Sequence, residues 1–247
     1  MYAKSDGVEK IVSAIVVKNF DTYAYIVTMT KNGMLKKSAV ADFKLQRYSK
    51  VAVAMKLKND DELIAAKVAY ANCDILAMSN LGYYNRYSLD IVNPIGTKSQ
   101  GVKGINVKDD ELASFVIVDD NSDNLLLMND LGGFKRIKNE EIAMTSRATK
   151  GNRLFKLMKT KNINITSAWM VKPYDSLIVY NDELSHLDAK DVPFMSIDAT
   201  FSNILDLKEN YFMIEMRNHG IEDVEIIDFP ADFNAKDENV EQLNLLG

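Results

Sequence analysis

The chain has 247 residues, 47% of them apolar and 26% charged, with a net charge of −5 and one cysteine, Cys73. That balance fits a globular protein with a sizeable core. It excludes an internal disulfide and a cysteine-based zinc site, no run of about eighteen apolar residues offers a membrane span, and residues 1–6 lack the apolar core of a signal peptide, so a cytoplasmic location is expected.

Along the chain, one segment of about fifty residues keeps returning. Met29-Thr30-Lys31-Asn32-Gly33 is followed by Met78-Ser79-Asn80-Leu81-Gly82 and Met128-Asn129-Asp130-Leu131-Gly132, then by a worn copy, Tyr180-Asn181-Asp182-Glu183-Leu184. Ile11, Leu63, Leu112 and Ile165 mark the same beat by opening short apolar runs. Two landmarks sharing a period define a repeat architecture.

Residues 8–20 read as the second half of a repeat whose first half is missing, so the chain is expected to begin partway into a longer polypeptide. In the first full copy, residues 25–30 form a short β-branched and aromatic strand, and Lys31-Asn32-Gly33 is a turn. Residues 34–38 return as a second strand, 51–57 alternate as a third, 59–62 turn, and 63–68 form a fourth. The second copy repeats this order at 75–78, 83–86, 101–107 and 112–117, and the third at 125–128, 135–136, 154–157 and 165–170. Four short strands per repeat make a blade. Helix signals reduce to a turn or two at 139–144. The acidic turns at Asp109-Asp110-Glu111 and near Glu62 read as hairpin tips, the recurring methionines as buried strand positions, Cys73 as a small buried residue, and His186 and His219 as surface residues. No catalytic, metal or cofactor site is expected.

Charge is unevenly distributed. Residues 182–247 hold 16 acidic and 4 basic side chains, net −12, which leaves +7 on the rest of the chain. Basic residues recur at a fixed offset after each turn glycine: Lys36-Lys37 after Gly33, Arg86 after Gly82, Lys135-Arg136 and Lys138 after Gly132. Lys31 lies in the first turn. The connection between second and third strands adds Lys44, Arg47 and Lys50 in one copy, Lys98 and Lys103 in the next, and Arg147, Lys150 and Arg153 in the third. Cations at one phase of a blade repeat predict a basic rim that reads phosphates without base specificity. The fourth copy, with Ser185-His186 in place of the basic pair, is expected to contribute little.

At these residues, over roughly 8–216, the chain resembles the C-terminal domain of the A subunit of bacterial type IIA topoisomerases. The shared pattern is an apolar strand, a turn glycine and a basic pair, followed by a strand like Gln100-Gly101-Val102-Lys103-Gly104-Ile105 and an acidic turn. The resemblance implies an all-β fold, a propeller-like β-pinwheel of four-stranded blades that exchange strands, here about five of them. It implies repeats near 1–24 (partial), 25–72, 73–122, 123–174 and 175–217 in one domain over 1–228, with an acidic tail at 229–247. Residues 221–228 are expected to add a closing strand. The implied function is capture and bending of double-stranded DNA, without catalysis in this stretch. The implied partners are the remainder of the A subunit and the B subunit, in the bacterial cytoplasm at the nucleoid. The glycine- and arginine-rich box of gyrase is not found, which favours the topoisomerase IV branch over gyrase. A propeller-like protein-interaction module and a propeller enzyme are the rival readings.

Overall fold

A computed structural model describes residues 11–45, 53–58, 60–156, 162–181, 183–205 and 212–216. The structure is built from hairpins where the turn signals place them. β1 (Tyr25–Thr30) pairs with β2 (Met34–Ala39), and β3 (Leu63–Ala69) pairs with the other side of β1. The second repeat gives β4 (Asp74–Ser79) and β5 (Tyr83–Ser88), then a short β6 (Val102–Lys103) and β7 (Leu112–Val118). The third gives β8 (Asn124–Asn129), β9 (Gly133–Lys138), β10 (Asn152–Arg153) and β11 (Ile165–Val171). The fourth gives β12 (Ser176–Asn181), β13 (Glu183–Asp188) and β14 (Ser202–Asn203), and β15 (Phe212–Met216) follows.

The strands assort into four antiparallel sheets, ordered β3-β1-β2-β6, β10-β5-β4-β7, β11-β8-β9-β14 and β13-β12-β15. Each short strand therefore leaves its own repeat and completes the sheet of the preceding one. Val102 pairs with Leu35, Asn152 with Tyr84, and Ser202 with Phe134. This is the strand exchange of a β-pinwheel. Glycine permits it. Gly101 and Gly151 have φ of +87° and +75°, and a Cβ there would stand 2.3 Å from the Leu35 carbonyl oxygen and 1.8 Å from that of Tyr84. Only a residue without a side chain lets the incoming backbone approach the host strand this closely.

The sequence expectations for the first, second and fourth strands agree with the structure to within one or two residues. The third strands do not. Of 101–107, only Val102 and Lys103 pair, and they pair outside their own repeat. The expected 154–157 is replaced by pairing at Asn152 and Arg153; 157 lies outside the described residues. Residues 53–57 form no strand, and 51–52 lie outside the described residues. The apolar alternation in these segments reflects packing: Ile105, Leu154 and Phe155 are buried in the clusters between blades, and Met55 is buried against Thr28 of its own blade. The expected helix at 139–144 is a single 3-10 turn at Asn139–Glu141, and comparable turns occur at Val40–Phe43, Leu89–Ile91 and Ala189–Asp191.

The core lies between blades. Val27, Met29 and Leu35 of the first blade pack with Ile75, Phe115 and Ile105. Leu76, Met78 and Val116 of the second pack with Leu125, Leu127 and Phe155. Leu126, Met128 and Trp169 of the third pack with Leu177, Val179 and Leu187. Each such side chain contributes roughly 1.5–3 kcal/mol on burial, so neighbouring blades stabilise one another. The acidic turns act within a blade, tying its outer strand to its hairpin. Asp61 accepts the Asn32 N–H at 3.0 Å and Asp110 the Leu81 N–H at 3.1 Å, each fixing a hairpin tip.

Four sheets are found among the described residues. The half-repeat read at 8–20 forms no strand over residues 11–20. Instead Ile15, Val17 and Phe20 cover Ala24, Ile26 and Val40 of the first blade. Residues 221–228 and the 229–247 tail lie outside the described residues.

Candidate nucleic-acid interface

Adjacent residues on a strand point to opposite faces, and a strand inside a blade is covered on both. The paired cations of β2 and β9 are therefore buried. Lys36, Lys37, Lys135 and Arg136 are only 1%, 4%, 0% and 6% exposed. This departs from the rim expected for them. Their charge is met by carbonyl oxygens of their own and the next repeat, and the two positions of the pair have separate tasks.

The first position ties connectors together. The Lys36 ammonium donates at 2.5 Å to the Ala54 carbonyl of its own repeat and at 2.5 Å to the Thr97 carbonyl of the next. Lys135 donates to Leu154 at 2.7 Å, and to Ile197 and Ala199 of the following repeat at 2.9 and 2.6 Å. Burial lowers the pKa of both lysines, that of Lys135 to about 8. In the second blade Asn85 takes this place, donating to the Thr149 carbonyl at 2.9 Å and accepting from its hydroxyl at 3.1 Å.

The second position holds the following 3-10 turn. Lys37 donates to the Leu89 carbonyl at 3.2 Å and lies 4.3 Å from the centre of the Tyr25 ring. Arg86 donates to Asn139 and Ile142, both at 2.9 Å, and pairs with Asp74 at 3.0 Å. Arg136 donates to Lys190 at 3.2 Å and stacks 3.9 Å from Phe194, with its pKa lowered by burial. These five cations, together with Asn85, join repeats.

Other candidate cations have acidic neighbours. Lys31 pairs with Glu111 at 3.0 Å, and that carboxylate raises its pKa. Lys44 meets Asp21 at 3.1 Å, while exposed Lys138 lies 3.9 Å from Glu140. Arg47 and Lys50 lie outside the described residues.

The remaining five, Lys98, Lys103, Arg147, Lys150 and Arg153, sit on or beside the connectors that carry the exchanged strands. Lys98, Lys103 and Lys150 are exposed, Arg147 and Arg153 partly so. Successive connectors touch. The Lys56 N–H donates to Ser99 at 3.0 Å, the Ala148 N–H to Gly104 at 3.0 Å, and the Asn106 N–H to Thr149 at 2.9 Å. The Arg147 guanidinium donates to the Lys103 carbonyl at 2.5 Å. Lys150 and Arg153 both lie 4.2 Å from the Tyr83 ring centre, and Arg153 donates to the Tyr83 hydroxyl at 2.6 Å, a bond that lowers the tyrosine pKa. A cationic edge thus runs across consecutive connectors and ends at the fourth repeat, where Ile197, Asp198, Thr200 and Asn203 occupy the same phase. Sequence reasoning missed Tyr83, whose place beside two cations depends on the exchanged strand. It also missed exposed Lys56, which falls in the segment read as a strand.

Comparison with known proteins agrees with this architecture. A family model described as the DNA gyrase C-terminal domain, beta-propeller, matches residues 24–69, 74–119 and 123–161. The A subunit of DNA topoisomerase 4 from Bacillus subtilis (strain 168) is 42% identical over 146 residues, 59% of this chain and 18% of the relative. Its counterpart from Staphylococcus epidermidis (strain ATCC 12228 / FDA PCI 1200) is 32% identical over 167 residues, 68% of this chain and 21% of the relative. The chain thus spans about a fifth of the length of these curated relatives. A crystal structure of the C-terminal domain of DNA topoisomerase IV superposes with a TM-score of 0.77 at 25% identity, covering 85% of this chain and 68% of that one. A DNA gyrase A C-terminal domain shares the fold, with a TM-score of 0.70 at 22% identity over 80% of this chain and 66% of that one. The repeats, the strand exchange and the family match, which covers more than half of the sequence, lead to one assignment: the chain belongs to the DNA gyrase A C-terminal domain family.

Proposed function

We propose that this chain captures and bends double-stranded DNA as part of a topoisomerase IV A subunit, without catalysis of its own. The continuous cationic edge of Lys98, Lys103, Arg147, Lys150 and Arg153 carries this reading. Cations fixed at intervals on a rigid scaffold meet phosphates and release counterions, giving affinity without base specificity. A bend over a short site costs roughly 1–6 kcal/mol, which several such contacts offset. The remainder of the A subunit and the B subunit are its partners, in the bacterial cytoplasm at the nucleoid, and the captured segment is presented to them for strand passage.

The test is duplex binding by fluorescence anisotropy across a salt series. Five engaged cations predict a log–log slope of roughly −4 to −5. Binding that stays flat with salt, or no binding, refutes the reading and favours a protein-interaction module. The domain is read as 1–228, with the acidic residues at 229–247 forming a tail that competes with phosphate for the cations. Removing residues after Asp228 is expected to tighten duplex binding several-fold at low salt, with the difference vanishing at high salt as the charges are screened. Equal affinities at low salt refute the competition.

A further inference from the structure

The connector bearing Lys98 and Lys103 is anchored at three points. At its start the Ile95 N–H donates to Lys37 at 2.9 Å, and at its end the Gly104 N–H donates to Gly33 at 2.8 Å. Between them, the Thr97 carbonyl beside Lys98 has the buried Lys36 ammonium as its donor. The same ammonium holds Ala54 of the preceding connector, and Ser99 accepts from Lys56 of that connector. Lys36 thus fastens together two consecutive stretches of the cationic edge while remaining almost wholly out of solvent.

We propose that Lys36 is a positioning residue for duplex capture: it reaches no phosphate, and it pre-orders Lys98 and Lys103 so that they bind without first losing conformational freedom. This rests on the connector edge being the duplex site. Asn85 supports the positioning role. It binds Thr149 from the same phase of the second repeat with a neutral amide, so fastening a connector does not require a charge. The connector that Asn85 fastens also carries Arg147, Lys150 and Arg153, the densest cations on the edge, over an uncharged anchor.

The experiment compares the full chain with Lys36→Met, Lys36→Asn and Lys98→Ala, reading duplex affinity, its salt slope, and hydrogen exchange at the Gly104 and Lys56 amides. Lys36→Met is expected to weaken binding about tenfold, the cost of ordering two long side chains on association, with an unchanged salt slope. The two amides exchange faster while those of β4 do not. Lys36→Asn restores most of the affinity, with the wild-type slope. Lys98→Ala loses affinity and lowers the slope by about 0.9, the signature of one lost phosphate contact. Wild-type affinity in Lys36→Met overturns the inference, and so does a slope reduced by about 0.9 in either Lys36 variant. If Lys36→Met does not fold, the slope of Lys36→Asn decides. Failure of the unmodified chain to bind duplex overturns the functional reading and this inference together. Unmodified binding that Lys36 variants leave untouched overturns the inference alone.

Discussion

Lys135→Met lowers the melting temperature by roughly 6–12 °C. The Lys135 ammonium is fully buried and donates to three carbonyl oxygens, on Leu154, Ile197 and Ala199. Met has nearly the same length and no donor, so it fills the space and leaves the three acceptors unsatisfied. A buried group stripped of its partner costs about 1–3 kcal/mol. Relief of the ammonium's desolvation offsets part of this, leaving a net loss of about 3 kcal/mol. In a domain of this size each kcal/mol moves the midpoint by about 2–4 °C. Exposed Lys138→Met, three residues away on the same strand, should shift it by very little. Calorimetry of both variants decides, and a Lys135→Met protein that melts with the wild type would refute the anchoring role.

The same ammonium carries a pH dependence of fixed sign. Burial places the Lys135 pKa near 8, below the unfolded value of about 10.4. Between those values the unfolded chain binds more protons than the native one, so the Lys135 contribution to stability rises with pH across that window. The gap between wild type and Lys135→Met should widen from pH 7 to pH 10.

These lysines also mark where the sequence is legible and where it is not. The hairpins can be read because their signals are local. Asn32-Gly33 fixes a turn, and the β-branched run at 25–30 fixes a strand whatever the rest of the chain does. The third strands cannot be read the same way, because Val102 and Lys103 pair with Leu35 and Met34, far back in the sequence. Nothing local distinguishes an exchanged strand from a resident one. The basic pair misleads for a related reason. A fixed phase in the repeat guarantees a shared environment, not an exposed one. The signal that could have corrected it is adjacency: Lys36 and Lys37 face opposite sides of a strand flanked by apolar neighbours, so at least one had to point into the protein. The exposure of the connector cations is easier to read, because Lys98 and Arg147 lie in surface turns and Lys150 directly follows one.

Reversing Lys98, Lys103 and Lys150 to Glu should abolish most duplex binding while leaving the fold intact. All three are exposed. Lys103 keeps one local contact, to the Asn106 side chain at 3.2 Å, and Lys150 lies over the Tyr83 ring. Such contacts are weak at a surface, so the melting temperature should change by only a few degrees. Binding should change far more. Three lost phosphate contacts lower the salt slope by roughly three, and three new carboxylates repel the same phosphates, for a loss on the order of a thousandfold at low salt. Reversing Lys36, Lys37, Lys135 and Arg136 instead would place carboxylates against carbonyl oxygens in the interior, where each buried unpaired charge costs several kcal/mol. That protein should fail to fold, so its loss of binding would say nothing about the interface. The two sets therefore separate the cations that hold the blades together from those proposed to meet the duplex. Full duplex affinity in the folded Lys98, Lys103 and Lys150 variant would remove the edge from consideration.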